Sequence, residues 1–86
     1  MKLDCRDIDQ WMILIGFFRY SLGRRSMMPG LAIQVLTDSW DTLSYRKKEI
    51  IKTEIQEAID KGWAGSEKTD VPGWKKILEL PMEEEE

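Results

Sequence analysis

The chain has no histidine, one cysteine and three prolines in 86 residues. Without histidine there is no imidazole acid–base chemistry, no Ser-His-Asp or Cys-His nucleophile, and no ordinary zinc geometry. Cys5 alone can form neither an intrachain disulfide nor a thiolate metal site, which suits a reducing cytoplasm. It reads as a small buried residue, with a reactive thiol as the alternative. No phosphate-cradling glycine loop, dinucleotide fingerprint or calcium loop occurs. The longest apolar run, residues 11–18, ends at Arg19 and is far too short to span a bilayer. Lys2 and Arg6 are interrupted by Asp4, Asp7 and Asp9, and no small-residue cleavage site follows, so a secretory signal is not expected. These absences together predict a non-enzymatic protein without cofactor, metal or membrane contact, in the cytoplasm. Asp4, Asp7 and Asp9 read as caps rather than metal ligands.

What is present is 42% apolar and 34% charged residues, with four tryptophans. That composition suits one folded domain, expected over residues 1–81, with one modest core and little stability to spare. Burial against a partner or a second copy would help it. Residues 82–86 are expected to form a disordered acidic tail. With Glu83, Glu84, Glu85 and Glu86 set aside, 13 basic face 12 acidic residues, so no broad basic footprint for nucleic acid exists.

Helical spacing recurs along the chain. Asp7 or Asp9 can cap a first helix over 8–22, with Ile8, Trp11, Met12, Ile15, Phe18 and Leu22 on its stripe. Ile13, Leu14 and Phe17 widen the stripe almost all the way round. Such a helix is either central to the core or half of a subunit interface. Gly16 in its middle is read as permitting a close helix crossing. Gly23 is read as its left-handed stop, and Pro29 as the opening of a second helix over 29–40 that buries Leu31, Val35, Leu36 and Trp40. Ser44 caps a third over 45–61, with Ile51, Ile55, Ala58 and Ile59 inward, a Glu57–Lys61 pair, and Gly62 as its stop. After the loop WAGSEKTD, Asp70 caps a short last helix through Leu78 carrying Trp74, Ile77 and Leu78. The expected fold is all-α: a compact bundle of three main helices plus a short C-terminal one.

Three features carry possible function. Arg24 and Arg25, with Arg19 one turn back and Tyr20 beside it, form an arginine turn. Either they neutralise the carbonyl end of the first helix and pair with Asp38 or Asp41, or they clamp a phosphate or a partner's carboxylate. Arg46, Lys47 and Lys48 open the third helix, where cations oppose the dipole. A bound phosphate or acidic partner would explain that cost; solvation and contact with Asp41 or Glu49 are the plain alternative. Trp11, Trp40, Trp63 and Trp74 overfill so small a core, so at least one is expected to stay partly open as an anchor or stacking platform. Met27 and Met28 offer an adaptable apolar rim.

Phe18-Arg19-Tyr20-Ser21-Leu22-Gly23-Arg24-Arg25-Ser26 resembles a segment of small phage and prophage proteins that read Arg-Tyr-Ala-Leu-Gly-Arg, any residue, then Ser or Thr. The likeness runs through Trp40 and EIIKTEIQEAI to Trp74; Ser21 stands for the usual Ala and Met27 for a usual aromatic. It implies a small protein acting on host machinery, such as an anti-CRISPR or other counter-defence inhibitor binding a host protein through Arg19, Arg24, Arg25 and an open tryptophan. The alternative it implies is a homo-oligomeric sponge for a cyclic nucleotide, with Arg24, Arg25, Arg46 and Lys47 on phosphates and Tyr20 or Trp63 on a base. A helix-turn-helix regulator stands third, because Glu49, Glu54, Glu57 and Asp60 on the third helix would repel DNA.

Overall fold

The computed structural model describes residues 1–23 and 29–83. Four α-helices follow one another: α1 (Ile8–Ser21), α2 (Pro29–Ser39), α3 (Tyr45–Asp60) and α4 (Asp70–Leu78), with one 3₁₀ turn (Trp40–Thr42) after α2. Among the described residues there is no strand. The Cα radius of gyration is 12.0 Å, the value of about 12 Å that a compact chain of this length has. Helix α2 packs on α1 and α4, and α3 packs on α4.

The helix starts follow local chemistry. Asp7 accepts the Gln10 N–H, and Ser44 accepts the Lys47 N–H at 3.3 Å, each satisfying an amide with no intrahelical partner. Helix α4 tolerates Pro72 because it lies in the first turn, where no amide is owed to the ladder. Asp70 does not cap that helix. Its carboxylate instead accepts the Ser66 N–H at 2.9 Å and closes the preceding loop. Gly65 beside it sits at φ +83°, where a Cβ would collide with the same carboxylate.

The core differs from the expected stripes in instructive ways. Helix α1 buries Leu14, Phe18 and Ser21, whereas Ile8, Met12 and Ile13 face outward. Leu31 of α2 is also exposed, and Ala32 takes the inward place. Phe18 meets Trp74 edge to face, with ring centroids 5.8 Å apart. Around them Leu36, Leu43, Ile51, Ile55 and Ile77 are all buried. The close crossing expected at Gly16 occurs at Gly73 instead. A Cβ on Gly73 would lie 2.8 Å from Ile33 Cδ1, while one on Gly16 would meet nothing within 4 Å. Gly23 is not left-handed either. Helix α1 ends as Leu22 turns extended while its N–H still reaches the Phe18 carbonyl at 2.9 Å.

The N-terminal segment is fastened to the α2–α3 corner. Leu3 N–H donates to Ser39 Oγ at 2.8 Å, and Cys5 N–H to Thr42 Oγ1 at 3.0 Å. The terminal ammonium of Met1 pairs with Asp38 at 3.0 Å, and Lys2 with Asp41 at 2.8 Å. These cations hold the carboxyls of Asp38 and Asp41 below their ordinary range, as Arg6 does for Asp4. A carboxyl whose folded pKa is depressed adds stability above its unfolded pKa and loses it as pH falls through the folded one. Stability is therefore expected to hold through neutral pH and to fall once pH drops below the ordinary carboxylate range. Chemical melts across acid pH check this, and Asp38→Asn should flatten part of the slope.

Candidate functional site

The end of α3 is built by its sequence into a defined stop. Gly62 takes φ +73°, its N–H reaches the Ile59 carbonyl at 3.1 Å, and the Trp63 N–H reaches the Ala58 carbonyl at 2.7 Å. That pair of bonds is the Schellman arrangement, which only a left-handed residue permits at low cost. It sets Trp63 down just past the helix, with the residue 42% exposed. Lys61 Nζ lies 4.9 Å from the centroid of the Trp63 ring and 2.7 Å from Glu57 Oε1. Trp63, Leu22, Ala58, Glu54 and Glu57 line an open pocket of about 240 Å³.

A second ion pair borders it. Arg19 Nε and Nη2 donate to Glu54 Oε1 and Oε2, each at 3.0 Å, the fork-to-fork geometry that suits a guanidinium and a carboxylate. This contact raises the Arg19 pKa further and ties α1 to α3. The pocket thus has an apolar floor and an aromatic side, and both of its carboxylates are balanced by cations of the same chain. Such a surface admits an apolar or aromatic anchor without leaving a charge unpaired.

The residues singled out from sequence are not gathered in one place. Arg19 and Trp63 meet the same pocket, through Glu54 and directly. Tyr20 is 74% exposed on the outer side of α1. Arg24 and Arg25 lie outside the described residues, two and three positions beyond the pocket residue Leu22; Met27 and Met28 lie outside them as well. Asp38 and Asp41, weighed above as their partners, are held by Met1 and Lys2. Arg46 is exposed at the start of α3, on a shallow depression with Glu49, Ile50, Thr53 and Glu54. Helix α3 puts on the order of 20 Å between Arg46 and Trp63, so one chain does not bring both to a single mononucleotide.

The basic start of α3 has a cause that sequence reasoning missed. Lys47 Nζ donates to the Cys5 carbonyl at 2.7 Å and lies over the Trp11 ring, 5.2 Å from its centroid. Lys48 is buried, 1% exposed, and donates to the Glu83 carbonyl. Lys52, one turn on, donates to the Leu78 carbonyl at 2.9 Å and to that of Leu80. Both ammonium groups lie within 6 Å of the Trp40 ring centroid, and the Trp40 indole N–H donates to the Pro81 carbonyl at 2.7 Å. Burial first, and then the charge of Lys48, lowers the Lys52 pKa. The lysines therefore clip the backbone at Cys5 and the segment from Leu78 to Glu83 to α3. Of the expected tail, Glu83 takes part through its carbonyl, and residues 84–86 lie outside the described residues.

Cys5 is fully buried, and burial pushes its thiol up, away from nucleophilic use. Among the described residues no cluster of histidine, cysteine or carboxylates could hold a metal ion, and no helix is long and apolar enough to cross a membrane. The comparisons found no matching family model, curated protein or solved structure.

Proposed function

We propose that this chain is a non-enzymatic binding protein that acts by protein–protein contact through the Trp63 pocket, together with Arg24 and Arg25 of the segment that follows the pocket residue Leu22 in sequence. The observation that carries the reading is Trp63 itself. A large aromatic residue is positioned by a Schellman stop, left 42% exposed, and placed at the edge of a pocket whose charges are already paired. Ordered aromatics with an apolar floor are what interface anchors are made of. Arg24 and Arg25, following Leu22 closely in sequence, add cations for a partner's carboxylates. The resemblance to phage proteins makes the partner a host protein, and inhibition of a defence component the purpose. Analogy of this kind carries the biological setting only.

Native mass spectrometry of the protein purified gently from host lysate tests the proposal. A specific host protein should co-purify, and both Trp63→Ala and the double variant R24E/R25E should lose it while melting like the parent. A hot-spot tryptophan is worth at least about 2 kcal/mol, a roughly 30-fold loss of affinity. Retention of the same protein by Trp63→Ala would remove the pocket from the reading. An oligomer carrying a few hundred extra daltons per chain, with no host protein, would replace it with the cyclic-nucleotide sponge.

A further inference from the structure

We infer that the outer face of α1 is a self-complementary surface, and that two copies of this chain pair through it with their α1 helices antiparallel. Ile8 (66% exposed), Met12 (63%), Ile13 (59%) and Tyr20 (74%) lie on the side of α1 opposite the core. Ile8, Met12, Gly16 and Tyr20 follow one another at steps of four, so they form a single stripe along the helix. At on the order of 200 Å² for a fully exposed large side chain, these four offer roughly 500 Å² per copy. A symmetric pair would then bury about 1,000 Å², the lower bound for a specific interface.

Two observations commit the surface to a second copy. The first is charge. The charged side chains that α1 itself carries are Asp9 in the first turn and Arg19 in the last. Asp9 has no hydrogen bond or ion pair among the described residues, and Arg19 uses only Nε and one terminal nitrogen on Glu54. Antiparallel alignment over the full length of α1 brings Asp9 of each copy level with Arg19 of the other; parallel alignment would set like beside like. The second is shape. The same register puts Met12 of one copy over Gly16 of the other, twice by symmetry. Gly16 has open space where a Cβ would stand, so the fold itself makes no use of its missing side chain. A glycine in mid-helix is unfavourable by itself, and a flexible methionine fits the shallow seat it leaves. A two-fold axis makes each of these contacts occur in pairs, as an isologous interface requires.

Sedimentation of the full chain over a concentration series should show a reversible shift to twice the chain mass. Gly16→Leu, which fills the seat but meets nothing within the chain, should weaken the dimer at least tenfold with an unchanged or higher melting temperature. Because Cys5 is buried, added cysteines report the register. A mixture of Met12→Cys and Gly16→Cys chains should cross-link mainly between the two kinds, whereas a parallel pair would give disulfides within each kind. A chain that stays monomeric at millimolar concentration, pellets with anionic vesicles instead, or dimerises equally well with Gly16→Leu would overturn the inference.

Discussion

Trp74→Ala is expected to remove most of the stability of this protein, by about 3–5 kcal/mol. Trp74 is 1% exposed, and its ring is the edge-to-face partner of Phe18, itself 1% exposed. It stands on α4, the shortest helix, which makes the contacts with both α2 and α3. Truncation there leaves a cavity between three helices at once, and a nine-residue helix has too little local stability to close over it. At 4–8 °C per kcal/mol for a domain of this size, the melting temperature should fall by roughly 12–40 °C. Calorimetry or circular dichroism reads the change directly. A loss below about 1 kcal/mol would mean that α4 is not part of the cooperative core.

The second large effect is expected from removing residues 79–86. Lys48 and Lys52 have no carboxylate partner among the described residues and are satisfied by the carbonyls of Leu78, Leu80 and Glu83. The indole of Trp40 depends on the Pro81 carbonyl in the same way, and Leu80 packs against the core. Truncation after Leu78 takes away the Leu80, Pro81 and Glu83 acceptors and leaves the buried Lys48 with none, while Lys52 keeps the Leu78 oxygen, by then part of a terminal carboxylate. A lost hydrogen bond to a charged group costs about 1.5–3 kcal/mol, so denaturant melts should show a loss of about 3 kcal/mol or more. Lys48→Met in the truncated chain should recover part of it, because an apolar side chain of similar length needs no partner there. If that change destabilises the truncated chain further, the buried charge is not what the C-terminal segment serves.

These two cases mark the boundary between what local chemistry specifies and what packing specifies. Asp7, Ser44 and Gly62 define helix ends because a cap or a left-handed turn is satisfied within a few residues. Ile51, Ile55 and Ala58 are inward because α3 is charged on its other faces, so its apolar stripe has one direction to go. Helix α1 had no such contrast. With apolar residues nearly all round, its spacing allowed several faces inward, and contact with α2 chose Leu14 and Phe18 over Ile8 and Met12. Gly16 and Gly73 are alike as letters, yet only the neighbour of Gly73, Ile33, shows which of them lies at a crossing.

The candidate site divides the same way. Trp63 was visible as a tryptophan placed after a glycine stop, and the overfilled core implied that one ring of the four would stay open. Which one was a matter of packing, since Trp40 and Trp74 found buried places and Trp11 a half-buried one under Lys47. The partners of Arg19, Lys47, Lys48 and Lys52 could not be read at all. One is a carboxylate 35 residues away, and the others are backbone carbonyls, which every residue carries and no side-chain pattern announces.

By itself, then, the sequence determined an all-helical chain, the positions of its helices and the absence of histidine and disulfide chemistry, because these depend on residue type and near neighbours. The tertiary structure decided which face of α1 remains open, which tryptophan stands at the surface and which cations are committed within the fold. Those outcomes depend on distances between residues far apart in the chain, which are set only when the helices pack.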